Sequence, residues 1–332
     1  MVLGEWTKPW DTIYFGGGTP SLLPAEQIAS FIQHIRKTRG IVKNAEITLE
    51  ANPEDIQEIT MEKWLMGGIN RVSLGVQSLS NTELLAMNRA HGADTSIRAV
   101  EKLLKAGFQS VNLDFIYGSQ WLDDNDWKNT LEWAFSSGAQ HISAYALTAE
   151  PNTRLWKDIR LGKIPNIDED KQARHFEWLQ AYAETFGWEH YEISNLCKPG
   201  YKAIHNSHYW ENKPYLGLGP SAHSFDGKRT RRWNISDNKA YVSGIENQKP
   251  DFEEEKLTDI NLVNEILITR LRLSDGLDFQ IIEAIIPEWV KQKEDLLLEM
   301  SEKKLIFMKN NCIKLTQKGR LFSDAISRDL ML

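Results

Sequence analysis

Short β-rich runs that end in glycine or a polar residue alternate with helix-patterned stretches through the first half of this chain. The strand candidates are Thr12–Phe15, Glu46–Leu49, Arg71–Val76, Ser110–Ile116 and His141–Leu147. Between them, Pro24–Arg36 carries Ile28, Phe31, Ile32 and Ile35 at helical spacing, and Ser96–Lys105 and Asp126–Phe135 are patterned alike. Strands alternating with helices specify βαβ units and a parallel sheet. Intervals of roughly 25–40 residues suit a (β/α) barrel or part of one, with a doubly wound sheet as the alternative. The polar residues choose between the two. Gly16–Thr19, Glu50, Gln77 and Asp114 stand at or near the C-terminal ends of consecutive strands, the rim on which barrel enzymes assemble their sites.

The rest of the chain differs in character. Lys171–Phe186 reads as a longer helix, and 187–233 is loop-rich and aromatic, with Trp188, Tyr191, Tyr209, Trp210 and Trp233 among its residues. Asn247–Glu255 (NQKPDFEEE) reads as an acidic linker, dividing a region over 1–246 from a C-terminal region over 256–332. That last region is patterned as helices Asp259–Leu273, Phe279–Ala284 and Val290–Lys303, a hairpin turning at Asn310-Asn311, and a final helix Gln317–Leu330. The outline is winged-helix-like. DNA binding does not follow, because 12 basic residues face 16 acidic ones over 251–332. The whole chain of 332 residues carries a formal charge of −7, which argues against a phosphate-binding surface. Its 41% hydrophobic content excludes wholesale disorder. There is no apolar run long enough to span a membrane, although peripheral membrane contact stays open. The N-terminus has no signal-peptide pattern. Only two cysteines, Cys197 and Cys312, are present, which excludes a disulfide scaffold and a Cys-only metal site within this chain and suits a cytoplasmic home.

Several constellations could carry chemistry. Gly16-Gly17-Gly18-Thr19-Pro20 directly follows a strand and lets backbone approach a ligand, yet lacks the spacing of a phosphate or dinucleotide loop. Glu50 and Asp114 are strand-end carboxylates suited to an ammonium or a ribose diol, Gln77 can donate and accept, and Arg89 can hold a carboxylate in bidentate fashion. His205-Asn206-Ser207-His208-Tyr209-Trp210 sets two histidines beside an amide and two aromatics, a combination that suits a flat macrocycle or a metal. Each has an ordinary reading when taken alone: a tight turn, a core ion pair, a surface arginine, a packed histidine.

Taken in order, IYFGGGTPS (Ile13–Ser21), TLEANPED (Thr48–Asp55), NRVSLGVQS (Asn70–Ser78), MNRAH (Met87–His91), NLDFIYG (Asn112–Gly118), HISAYALT (His141–Thr148), HYEISN (His190–Asn195) and GLGPSAHSF (Gly217–Phe225) resemble the radical S-adenosylmethionine family of oxygen-independent coproporphyrinogen III oxidases and HemW-type haem chaperones. His205, Asn206, Tyr209 and Trp210 match the HNxxYW signature of the chaperone branch. The resemblance implies an incomplete (β/α) barrel of the radical S-adenosylmethionine type, with the haem motif in 187–233 and a helical, winged-helix-like C-terminal domain. It implies S-adenosylmethionine at Gly17, Gly18, Thr19, Glu50, Gln77, Arg89, Asp114 and Ala146, haem at His205, and delivery to a haem-acceptor protein. No catalytic residue is assigned; the alternative is an oxidative decarboxylase of coproporphyrinogen III. The family's [4Fe–4S] ligands, C-x-x-x-C-x-x-C, precede the GGGTP strand, but only eleven residues precede Thr12 and none is cysteine. The expectation is therefore a chain short of the family's first βα unit, either a truncated form or a cluster-free relative. A further departure is Gly118-Ser119-Gln120, where many members have a Gly–apolar–Pro turn.

Overall fold

A computed structural model describes residues 8–332, which divide into two compact units, one running to His205 and the other from Asn206 to Leu332. In the first, a seven-stranded sheet is ordered β1-β2-β3-β4-β5-β7-β6. Its strands are β1 (Trp10–Phe15), β2 (Ile41–Ala51), β3 (Arg71–Gln77), β4 (Ser110–Tyr117), β5 (His141–Ala146), β6 (Glu189–Glu192) and β7 (Asn195–Cys197). β1 to β5 run parallel, and the β6–β7 hairpin returns antiparallel against β5. The sheet curls into a half-barrel, and the doubly wound alternative is set aside.

Alternation along the strands explains the curl's two faces. Successive side chains point to opposite sides. Val72, Leu74 and Val76 on β3, Val111, Leu113 and Phe115 on β4, and Ile142 and Ala144 on β5 are all buried. They form a core with Ile28 and Ile32 of helix Ala25–Thr38, Trp64 of Glu58–Gly67, Val100 and Leu103 of Ala93–Ala106, and Trp127 and Leu131 of Asp124–Ser136. The opposite positions are polar: Thr48, Arg71, Ser73, Asn112, His141 and Ser143. A parallel sheet packed on both faces would read as continuous apolar runs. Here the inner face is reserved for hydrogen-bonding groups.

The second unit holds two small sheets. β8 (His223–Phe225), β9 (Thr230–Asn234) and β10 (Phe252–Lys256) are ordered β10-β9-β8, all antiparallel. The acidic segment expected as a linker thus supplies an edge strand. Glu253 to Glu255 are tolerated there because they are exposed and because Arg232 of β9 pairs with Glu254. β11 (Leu277–Asp278), β12 (Ile306–Lys309) and β13 (Cys312–Leu315) form the second sheet, with Asn310 and Asn311 both at positive φ as the hairpin pattern required. Helices Asp259–Arg270, Glu294–Glu302 and Ser323–Leu330 close over it around Val263, Leu267, Trp289, Leu297, Ile313 and Leu330. Thr258 opens the first of these with a capping box to Asn261.

Candidate functional site: a polar rim and a tethered histidine

The register brings the strand-end residues of the first unit together. Phe15 pairs with Leu49, so the GGGTP loop begins level with Glu50; Glu50 pairs with Ser73, Ser73 with Asn112, and Asp114 with Ser143. A Cβ on Gly16 would lie 2.9 Å from Glu50 Oε1 and 2.6 Å from the Tyr14 ring, so any larger residue would displace both side chains. Gly17 adopts φ +107°, which favours glycine. Its backbone N–H helps to satisfy Glu50. Thr19 precedes the short turn Pro20–Leu22. Gln77 ends β3 with φ 65° after a register shift, a left-handed conformation rare outside glycine and one that turns its side chain at the rim. Ala146 ends β5 opposite Tyr117. Arg89 follows Asn88, whose φ of 55° ends the short helix Asn81–Ala86, and its guanidinium has no side-chain partner among the described residues.

Asp114 is the best-supported carboxylate. Ser73 Oγ donates to its Oδ2 at 2.8 Å, and Asn112 Nδ2 donates to its Oδ1 at 2.7 Å. Behind them, His141 Nδ1 donates to Asn112 Oδ1 at 2.6 Å, and the Tyr191 hydroxyl donates to His141 Nε2 at 2.8 Å. Burial holds the His141 imidazole well below its usual pKa, which keeps this tautomer neutral. Desolvation raises the Asp114 carboxyl despite its donors. It raises Glu50 too, with a further push from the Asp114 charge. Tyr145, on β5, is pushed up to about 12 by burial and by Asp114. The rim therefore concentrates negative charge that a cationic ligand would relieve.

His205 is tethered to this rim. Its Nδ1 lies 2.8 Å from Thr12 Oγ1, and the Glu46 carboxylate accepts from the backbone N–H of Ile204 at 3.0 Å and of His205 at 2.9 Å. The ring stacks on Tyr14, with centroids 5.0 Å apart and 17° between planes. The Tyr14 hydroxyl in turn donates to Glu50 Oε1 at 2.6 Å. Burial and the Glu50 charge push that phenol above its ordinary pKa, so it stays a donor. Thr12, Tyr14 and Glu46 escaped the motif reading, since nothing in sequence places them beside a residue so far away. Asn206, Tyr209 and Trp210 belong to the second unit. There Tyr209 packs edge-on against Tyr215 with centroids 4.8 Å apart, and the Arg272 guanidinium lies 5.0 Å over the Trp210 ring.

A model of the radical SAM superfamily matches residues 2–134. The heme chaperone HemW of Mycobacterium tuberculosis (strain H37Rv) is 34% identical over 322 residues, covering 96% of this chain and 80% of the relative. The chain belongs to the HemW family. The Lactococcus lactis HemW is 30% identical over 310 residues, covering 93% of this chain and 81% of the relative. Coproporphyrinogen III oxidase (HemN) from Escherichia coli superposes with a TM-score of 0.81 at 21% identity, covering 97% of this chain and 77% of that one, which establishes a shared fold. The resemblance read from the motifs thus holds, and its chaperone branch is favoured over the oxidase.

The rim fits S-adenosylmethionine: carboxylates stand ready for an ammonium or a diol, and an unengaged guanidinium for a carboxylate. An iron–sulfur cluster finds no matching donor set among the described residues, where no group of three His, Cys, Asp or Glu side chains could hold a metal. Cys197 is buried in β7 with its thiol pushed up to about 12 by desolvation, and Cys312 sits in the β12–β13 hairpin of the other unit. No described helix is long and apolar enough to cross a membrane.

Proposed function

We propose that this chain binds haem at His205 and S-adenosylmethionine at the half-barrel rim, and passes haem to an acceptor protein. The observation that carries the reading is the side-chain series Thr12–His205–Tyr14–Glu50, which joins the haem candidate to the cofactor rim. A ligating histidine is oriented by a hydrogen bond to its other nitrogen, and Thr12 supplies one at Nδ1. Tyr14 keeps the ring plane fixed by stacking. At the rim, Arg89 suits the carboxylate of S-adenosylmethionine, while Glu50 and Asp114 suit its ammonium and ribose hydroxyls. The GGGTP backbone at Gly17, Gly18 and Thr19 leaves room for the methionine end, and Gln77 and Ala146 border the nucleoside.

In the family, the cluster supplies the electron that cleaves the sulfonium. Binding and transfer are the roles proposed for these side chains. Titration of the purified protein with haem should shift the Soret band, and His205→Ala should weaken that shift. Identical spectra for parent and variant would overturn the haem assignment. Calorimetry with S-adenosylmethionine should show Arg89→Ala weaker than the parent, and equal binding would remove Arg89 from the site.

A further inference from the structure

Three rim segments meet at one buried side chain, His91, which is 5% exposed. Its Nδ1 lies 2.9 Å from Glu54 Oε2 and its Nε2 lies 3.2 Å from the Val76 carbonyl oxygen. Each ring nitrogen thus faces an oxygen of a different segment within hydrogen-bond distance. Glu54 sits in the turn Pro53–Asp55 that follows Glu50, Val76 immediately precedes Gln77, and His91 stands two residues beyond Arg89. The ring therefore pins the Arg89 turn to the ends of two strands.

The three segments do not need it equally. Glu50 and Gln77 are already placed by strand pairing with Ser73 and Phe115. Arg89 lies outside any ladder, in the connection between helices Asn81–Ala86 and Ala93–Ala106. Backbone bonds hold the two ends of that connection: the Arg89 N–H donates to Leu84 O at 2.9 Å, and the Ala93 N–H donates to Asn81 Oδ1 at 2.9 Å. Between them His91 is the side chain that reaches across to the sheet. We infer that His91 is the positioning residue that presents Arg89 to the carboxylate of S-adenosylmethionine, a role that rests on the rim being that cofactor's site. It acts through Arg89 and touches no ligand itself.

The consequence is selective. Releasing the turn should cost affinity for a ligand that carries an amino-acid carboxylate and spare one that does not. S-adenosylmethionine and S-methyl-5′-thioadenosine, which lacks the amino-acid portion, make the comparison in calorimetric titrations. His91→Leu should weaken S-adenosylmethionine about tenfold or more, the scale on which supporting residues and small misplacements act. Glu54→Ala should weaken it less, because the Val76 bond survives. Thioadenosine affinity should change by under about threefold in both, and His91→Gln, which keeps a donor, should recover part of the loss. If His91→Leu fails to fold, Glu54→Ala carries the test, since it removes the anchoring oxygen and leaves the buried ring in place. A folded variant that binds S-adenosylmethionine as the parent does, or that loses both ligands in parallel, overturns the positioning role. A parent that binds neither ligand removes the rim reading, and this role with it.

Discussion

Asp114→Asn should make the protein more stable while weakening its rim. The carboxyl pKa is raised in the folded state by desolvation, against the donors Ser73, Ser143 and Asn112. An acid so shifted binds its proton more tightly folded than unfolded, so its contribution is most favourable below the unfolded value and is lost as pH rises through the folded one. Wherever the group is ionised in the folded state it is thus a cost that asparagine does not carry. The amide is accommodated: its oxygen can take the Asn112 Nδ2 bond, and the Ser73 hydroxyl can rotate to accept from its nitrogen. Relieving such a site is worth roughly 0.5–2 kcal/mol, which for a unit of this size corresponds to a melting midpoint about 1–8 °C higher. Melts of parent and variant at pH 7 and near pH 4 provide the assay. The gain should be larger at pH 7 than near pH 4, because less of the parent's carboxyl is ionised at the lower pH. Calorimetry should meanwhile show S-adenosylmethionine bound more weakly. A variant less stable than the parent at pH 7, or a difference that ignores pH, would refute the desolvation argument.

Asn112→Ala should act in the opposite direction, because it leaves the His141 Nδ1–H and one Asp114 oxygen without their partner inside the half-barrel. A loss of about 2–6 kcal/mol is expected in urea titrations, about one to three for each stranded group. Alkylation near pH 8 should label Cys312 and spare Cys197, whose buried thiol is pushed up to about 12; peptide mapping reads the result, and equal labelling would contradict the burial of β7.

The central strands were legible because each is an apolar run bounded by turn residues. Arg71–Gln77 and Ser110–Tyr117 match the expected spans to within a residue at each end. Polar length hid the rest. β2 starts at Ile41, but Lys43 and Asn44 mask its exposed first half, and β6 and β7 are short strands inside the aromatic stretch. β11 spans only two residues, too few for any pattern, and β10 is disguised by three glutamates. At the site, strand-end position revealed Glu50, Gln77 and Asp114, because a polar residue closing an apolar run is visible along the chain. Tyr14, Ser73 and Ser143 matter through register and lateral pairing, which a single strand does not encode. His91 lay inside a quoted motif, yet its bonds run to Glu54 and Val76, and local spacing gives no hint of either.

The Thr12–His205 hydrogen bond joins residues 193 positions apart. Such a closure forms late, since a long loop must be brought together before the contact can repay it. During synthesis, β1 leaves the ribosome well before its partner exists, and chains fold from their N-terminal elements as they emerge. The five parallel strands can assemble while the histidine is still untranslated. A nascent chain therefore holds a rim before it holds His205, and the histidine is added to a rim already formed.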